Sequence, residues 1–484
     1  MKKLIIFLVS IVIFTSCKKA LEEVPKSFIS KANFYETESD AQAAIRGAYS
    51  SFGTDYYGIT YYLFVVLHSD YADGRGSQAP ISLFDRNLDQ TNIDRASVNW
   101  AVHYQQINQA NSVLNNVPNV PKITDAVKNR ILAEAHFLRA MAYFNLVRGY
   151  GAVPIKTMES ADISAIAGVR EPVAKVYDLI LADALAAEKD LPESVADQTG
   201  RASKYAAKML LAQIYLTQEK WTEAAAKASE VIAAARFSLV PVKKQEDFYK
   251  IFATVTNTED IMSVHHSDTR QSQIPTYEHR PNTPPYNYSS GGNFAWLPNL
   301  KSFIGTSWND KDLRKSFNLY TKYVNANGDS IALPAASPIL FKKFITTPQG
   351  FGSYSVPIYR YTEAFLIYAE AADMAAGAPS ALALERLNMI KRRAYGYDPA
   401  VVSPVDYPAG LSKDGFRDAV LNERGYEFIL EGRRWWDLKR TGRVKTAMVA
   451  AGRTFIDSRL LWPIPTEELN NNPALTQADQ NPGY

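Results

Sequence analysis

The stretch Glu423-Arg424-Gly425-Tyr426-Glu427-Phe428-Ile429-Leu430-Glu431-Gly432-Arg433-Arg434-Trp435-Trp436-Asp437-Leu438-Lys439-Arg440 sets three carboxylates four residues apart among arginines. Residues four apart share one face of a helix, so Glu423, Glu427 and Glu431 align near Arg424, Arg433 and Arg434. Carboxylates that cleave a glycosidic bond must flank it from opposite sides, and one of them must be protonated at neutral pH. A row on one helix beside guanidinium groups does neither, because neighbouring positive charge depresses a carboxyl pKa. The pattern is that of a partly buried ion-pair network stitching a late helix to a core. Trp435 and Trp436 are read as packing residues next to it.

Outward from this segment the chain reads as mainly α. Helical periodicity covers 361–376, 380–393 and 414–431. The clearest helix spans 131–150: Ile131, Ala135, Leu138 and Ala142 form one stripe, with Phe137, Met141 and Phe144 beside it. Apolar on two sides, it belongs deep in a core; Gly149 and Gly151 end it and Pro154 cannot continue it. Further helical patterns begin at Ser39 and run over 99–117, 174–191, 204–216 and 222–235. In the last two, small residues such as Ala206, Ala207, Ala212, Ala224 and Ala228 permit close approach. With Tyr215 and Trp221 they resemble degenerate tetratricopeptide helix pairs.

Between these helical groups, from about 240 to 359, Pro, Gly, Asn, Ser and Tyr become frequent and the helical period fades. Residues 286–308 alone hold six Tyr, Phe and Trp side chains. Loops this long inside a domain are functional or disordered, and disordered segments are poor in aromatics, so an ordered functional region is expected. A second loop of this kind is expected over 54–85, with Tyr56, Tyr57, Asp70, Tyr71, Asp73 and Arg75.

The N-terminal end has the anatomy of a secretory leader: Lys2 and Lys3, an apolar run from Leu4 to Phe14, then Thr15, Ser16 and the chain's one cysteine, Cys17. The run is too short to span a bilayer, which takes about 20 apolar residues. A thiol at that junction is what lipoprotein signal peptidase requires, and two or more acyl chains hold a domain stably on a membrane. Cys17 is therefore expected to be lipidated; an ordinary secreted protein with a stray cysteine is the alternative. Cleavage takes Lys2 and Lys3 from the 53 basic residues, leaving 51 against 50 acidic ones. Near neutrality offers no electrostatic footprint for nucleic acid. With no second thiol there is no intrachain disulfide and no cysteine nucleophile. The expected organisation is a leader over 1–16, a polar tether over 17–31 and a helical part over 32–240. A loop-rich, aromatic ligand-binding part over 241–359 and a helical part over 360–484 complete it.

No other constellation carries chemistry. His265-His266 and His279 lack a carboxylate at a metal-ligand spacing. Gly149-Tyr150-Gly151 is too short for a nucleotide fingerprint, and no nucleophile elbow is present. No cofactor, no metal and no enzymatic activity are expected. Recognition of a sugar without chemistry needs flat apolar faces and planar polar groups. Trp296, Trp308, Tyr286 and Tyr288 are the candidate faces; Asn293, Asp70, Asp73 and Arg75 are the candidate hydrogen-bonding groups.

The 423–440 stretch resembles the C-terminal signature of the SusD/RagB family of outer-membrane nutrient-binding lipoproteins. Trp462-Pro463-Ile464-Pro465 with Glu468, Asn472-Pro473 and the closing Gln480-Asn481-Pro482-Gly483-Tyr484 are similar to its terminus. Glu134-Ala-His-Phe-Leu-Arg139-Ala-Met-Ala-Tyr143-Phe144 and Gly151-Ala-Val-Pro154 are similar to its central helix. The resemblance implies a fold of tetratricopeptide-like helix pairs, four in number, with an irregular portion carrying the ligand site. It also implies a SusC-like TonB-dependent outer-membrane transporter as partner, with the lipoprotein as its hinged lid, and an oligosaccharide as ligand. The expected location is the outer membrane, lipid-anchored and facing the cell surface. Two other functions stay open. A peptide-binding RagB-like protein would have a groove of charges and small apolar pockets, and a helical glycoside hydrolase lipoprotein would need facing carboxylates.

Overall fold

Thr124 accepts a hydrogen bond from the Val127 amide and starts a helix that stops where Gly151 adopts a φ of 78°, a region that favours glycine. This is α4 (Asp125–Tyr150), nearly every residue of which is buried from Ile131 onward. It lies within a series formed by α1 (Glu38–Ser51), α2 (Ile59–Leu67), α3 (Gln90–Asn116), α5 (Val173–Asp190), α6 (Lys204–Thr217) and α7 (Trp221–Ala233). The computed structural model describes residues 34–51, 59–160, 167–196, 198–253, 255–267, 272–288, 294–345 and 354–484. Cys17, Tyr56, Tyr57 and Asn293 lie outside the described residues.

From α3 to α7 each helix packs on the next, the tetratricopeptide-like arrangement. Ala206, Ala207, Ala212, Ala224 and Ala228 have no exposed surface, so the α6 and α7 backbones meet closely. The next layer is α8 (Tyr361–Ala376), which packs on α7 and then against α9 (Ala381–Ala394) and α10 (Lys413–Glu427). The entire loop-rich stretch is therefore inserted between two consecutive layers of one helical stack. Then come α11 (Arg434–Arg440), α12 (Val444–Ala450) and, before the C-terminus, the short helix Thr466–Asn471. Among the described residues no helix is long and apolar enough to cross a membrane.

Several boundaries differ from the sequence expectation, α4 starting at Asp125 rather than 131. Helix α3 begins at Gln90, capped by Asp89, rather than at residue 99. Its buried side carries Asn92, Asn99, His103, Gln106 and Asn111, which masks the apolar period. Helix α2 occupies what was expected to be loop; Tyr62 to Leu67 are all buried, and a helix apolar all round has no stripe to detect. Helix α10 ends at Glu427, not 431, because the chain turns at Leu430 (φ 58°) and Gly432 (φ 71°).

Eight short strands form four antiparallel ribbons among the described residues. Strand β1 (Ala72–Gly74) pairs with β3 (Trp296–Pro298), and β2 (Asp260–His265) with β8 (Ser355–Arg360). Strand β4 (Leu319–Tyr320) pairs with β7 (Leu340–Phe341), and β5 (Lys322–Val324) with β6 (Ser330–Ala332). Phe294, Tyr320, Leu333 and Leu340 make a small apolar cluster of their own, with Tyr286, Leu297 and Tyr323 packed against it.

The carboxylate row is buried and paired. Glu427 accepts from Arg360 at 2.6 Å, Arg393 at 2.5 Å and Arg314 at 3.1 Å. Glu431 accepts from Lys343 at 2.6 Å and Arg360 at 2.9 Å. Burial alone would raise Glu427, but Arg393, Arg360 and Arg314 outweigh it and hold the carboxyl well below the usual range. Against the same burial, Arg360 and Lys343 hold Glu431 low. Glu423 departs from the expected depression: burial raises it, Arg314 offsets this only in part, and the Asp312 carboxylate adds to the rise. Trp435 is fully buried and Trp436 nearly so.

Candidate functional site

The helical stack brings the two loops of interest together. Strand β1 carries Asp73 and leads into Arg75; β3 lies two residues beyond Phe294, and the register pairs Asp73 with Leu297 and Gly74 with Trp296. The pairing extends at both ends. Arg75 N–H donates to the Ala295 carbonyl at 2.8 Å, and Asn299 N–H donates to the Tyr71 carbonyl at 2.7 Å. On its other edge the β3 segment is tied to the short helix Ile274–Glu278, through Phe294 N–H to Thr276 and Ala295 N–H to Tyr277. Gly74 is required here, because a Cβ would stand 2.5 Å from the Gln78 carbonyl oxygen.

Arg75, exposed at the tip, lies with its guanidinium carbon 4.1 Å from the centre of the Phe294 ring and donates from Nη1 to the Phe294 carbonyl at 2.8 Å. Asp73 is half-exposed, its side chain 46 % accessible. Its Oδ1 accepts from Asn299 Nδ2 at 3.1 Å and from Arg453 Nη2 at 2.8 Å. Beside the ribbon opens a cleft of about 410 Å³ whose polar wall includes Asp73, Lys301 and Arg453 and whose apolar wall includes Leu83, Leu297 and Ile339. A carboxylate flanked by a guanidinium and an amide can bridge the paired hydroxyls of a sugar or the backbone of a peptide.

The other candidates are placed differently. Trp296 is fully buried, its ring 6.0 Å from that of Tyr277, so it presents no face to a ligand. Trp308 is 3 % exposed; its Nε1 donates to Asp312 at 3.0 Å and its ring stacks on Tyr426 at 5.3 Å. Asp70 is equally unavailable, since both carboxylate oxygens are taken by Arg434 at 2.9 and 2.7 Å. Apolar rings and a doubly paired carboxylate are retained inside because exposing them gains nothing. Tyr286 is half-buried, with its ring 4.5 Å from Tyr320 and the Lys342 ammonium 4.8 Å above it. Tyr288 is 39 % exposed. The structure therefore places Asp73 and Arg75 on the ribbon, packs Tyr286, with Leu297, against the cluster that holds Phe294, and withdraws Trp296, Trp308 and Asp70 into the core.

Arg453, Asn299 and Lys301 were missed by sequence reasoning. Arg453 is 380 residues from Asp73 and follows an unremarkable helix, so no local signal marked it.

A model described as the SusD family matches residues 309–484. A second, SusD-like model, described as "Starch-binding associating with outer membrane", matches residues 25–216. SusD-like protein P2 of Formosa agariphila is 28 % identical over 99 % of both chains. The chain belongs to the SusD/RagB family. SusD-like protein P38 of the same organism is 26 % identical, over 98 % of this chain and 97 % of that one. Among solved structures, a SusD homolog from Bacteroides thetaiotaomicron superposes with a TM-score of 0.78 at 23 % identity, covering 93 % of this chain and 98 % of that one. A laminarin-binding SusD-like protein superposes at 0.74 with 24 % identity, covering 93 % and 100 %. At these identities the superpositions establish the SusD fold.

Proposed function

We propose that this SusD-like chain is a non-catalytic binding protein. It holds an oligosaccharide at the β1–β3 ribbon and passes it to a SusC-like TonB-dependent transporter in the outer membrane. The observation that carries the reading is the ribbon itself, which sets Asp73 at an open cleft and Arg75 over Phe294, a member of the small cluster against which Tyr286 packs. The names of the relatives support the ligand class: one solved neighbour is a laminarin-binding protein and another a surface glycan-binding protein of Bacteroides fluxus. Non-catalysis is supported by the fate of the carboxylate row, since Glu423, Glu427 and Glu431 are all buried and each has a cationic partner. Attachment through acylated Cys17 is supported by the leader pattern.

A second reading is favoured by one observation. The cleft beside the ribbon has charged and aliphatic walls and no aromatic residue in its lining, which suits a peptide better than a sugar. Isothermal titration of the mature protein against β-glucan and α-glucan oligosaccharides and against a mixed tryptic peptide pool separates the two. Glycan binding lost in Asp73→Asn and Arg75→Ala supports the first reading. Peptide binding with no glycan binding replaces it.

A further inference from the structure

The cleft beside the ribbon shares Lys301 and Ala451 with a second cleft, of about 310 Å³, whose wall includes Thr306, Ser307 and Asn422. Three carboxylates line the two clefts, and each is paired with an arginine that lines them too. Asp73 pairs with Arg453 at 2.8 Å, Asp70 with Arg434 at 2.7 Å, and Asp418 with Arg443. The charge left over in this lining is the Lys301 ammonium. Among the described residues no carboxylate pairs with it.

Lys301 is held in place at both ends of its reach. Its backbone N–H donates to Asn299 Oδ1 at 2.8 Å, and its side chain lies across Gly452. A Cβ at Gly452 would stand 2.5 Å from Lys301 Cδ and 3.1 Å from Nζ. The glycine, at a φ of 74°, therefore leaves room for the aliphatic stem, while the residue as a whole stays exposed. A stem already laid against backbone loses less freedom when its ammonium meets an anion. Arg75, at the other end of the ribbon, is also exposed and has no carboxylate partner among the described residues. The wider charge agrees. Residues 241–359 hold 12 basic and 9 acidic side chains, against 53 and 50 in the whole chain, so the positive excess resides in this layer.

We propose that the ligand is an acidic oligosaccharide, whose carboxylate or sulfate group pairs with Lys301 where the two clefts meet. This rests on the reading of the ribbon as a glycan site and adds the charge of the glycan. The neighbouring aspartates do not oppose it, because each is offset by its own arginine. Hydroxyl and amide groups of Thr306, Ser307 and Asn422 in the second cleft can take the hydroxyls of the adjoining sugar. A neutral glycan would gain nothing from the ammonium, whereas an anion forms a charge-assisted hydrogen bond with it.

The test titrates the mature chain, carrying Cys17→Ser, with two matched pairs of oligosaccharides. One pair is oligogalacturonate and its fully methyl-esterified form; the other is a sulfated galactan oligomer and its desulfated form. Within a pair only the anionic group differs. In one pair the acidic member is expected to bind at least about fivefold more tightly than its neutral counterpart, and which pair shows the gap tells carboxylate from sulfate. The gap is expected to close in Lys301→Gln, to persist in Lys301→Arg and to narrow as salt is raised. Equal thermal midpoints for the three proteins keep a folding loss out of the comparison. Neutral members that bind as tightly as acidic ones overturn the proposal and leave the glycan site standing. An acidic preference that survives Lys301→Gln overturns the role of Lys301. Binding of none of the four, with peptides bound instead, overturns both the proposal and the glycan reading beneath it.

Discussion

A tryptophan in a Pro- and Gly-rich loop closes a core as readily as it meets a sugar, and Trp296 does the first. Its neighbours fix its strand between β1 and the Ile274–Glu278 helix, so its ring points into protein. Trp296→Ala is therefore expected to cost about 3–5 kcal/mol in denaturant unfolding, as for Trp435→Ala, because both truncate a buried ring. Tyr288→Ala is expected to leave stability within about 0.5 kcal/mol. It should weaken glycan binding by about five- to tenfold in titration, the equivalent of losing one stacking contact. A Trp296→Ala protein of native stability that no longer binds would return that ring to the ligand site.

At the scale of elements, the β2–β8 ribbon and α10 meet through charge. Residue Glu259, just before β2, and Arg360, at the end of β8, join Glu427 and Glu431. Glu427→Gln removes a carboxylate facing three guanidinium groups, and breaking a buried network in this way is expected to cost about 3–5 kcal/mol. Calorimetry checks it. The pH dependence has two arms. Glu427 and Glu431 are held low in the folded state, so their contribution is complete above the ordinary carboxylate pKa. It is lost as the pH falls through the folded values. Glu278 works the other way. Burial raises it from 4.5 to about 8, against hydrogen bonds from the Phe344 and Lys343 amides and the Lys343 charge. Its contribution is complete below its unfolded pKa and is lost as the pH rises through about 8. Glu278→Gln is thus expected to gain thermal midpoint relative to the native chain between pH 5 and pH 9. A constant difference across that range rules the titration out.

For the molecule as a whole, the inserted layer stands on a helical stack that continues beneath it, so loop variation and core stability are separable. This predicts that the native chain and the Asp73→Asn, Arg75→Ala variant both melt in one cooperative transition with the same midpoint. The lipid anchor proposed at Cys17 is tested on the whole molecule. Cys17→Ala is expected to abolish fatty-acid labelling and move the protein from the membrane to the soluble fraction in cells lacking the transporter. Retention in the membrane fraction would dispose of the lipid anchor.

The sequence by itself determined the helical class, the apolar α4 and the ionic character of Glu423 to Glu431, because all three are written in local spacing. It also pointed to Asp73 and Arg75 and to the segment they pair with. Only the tertiary structure decided which rings face inward. Trp296 and Tyr288 sit in the same kind of loop, and burial depends on partners such as Tyr277 that local sequence does not specify. Helix α2 escaped for a related reason, since complete burial erases periodicity. Arg453 reaches Asp73 only because the chain's end folds back over its beginning, and no local pattern records that contact. Glu423 was expected to be depressed and is raised, because the number of guanidinium groups around a carboxylate is set by packing and not by how many arginines lie nearby in the chain.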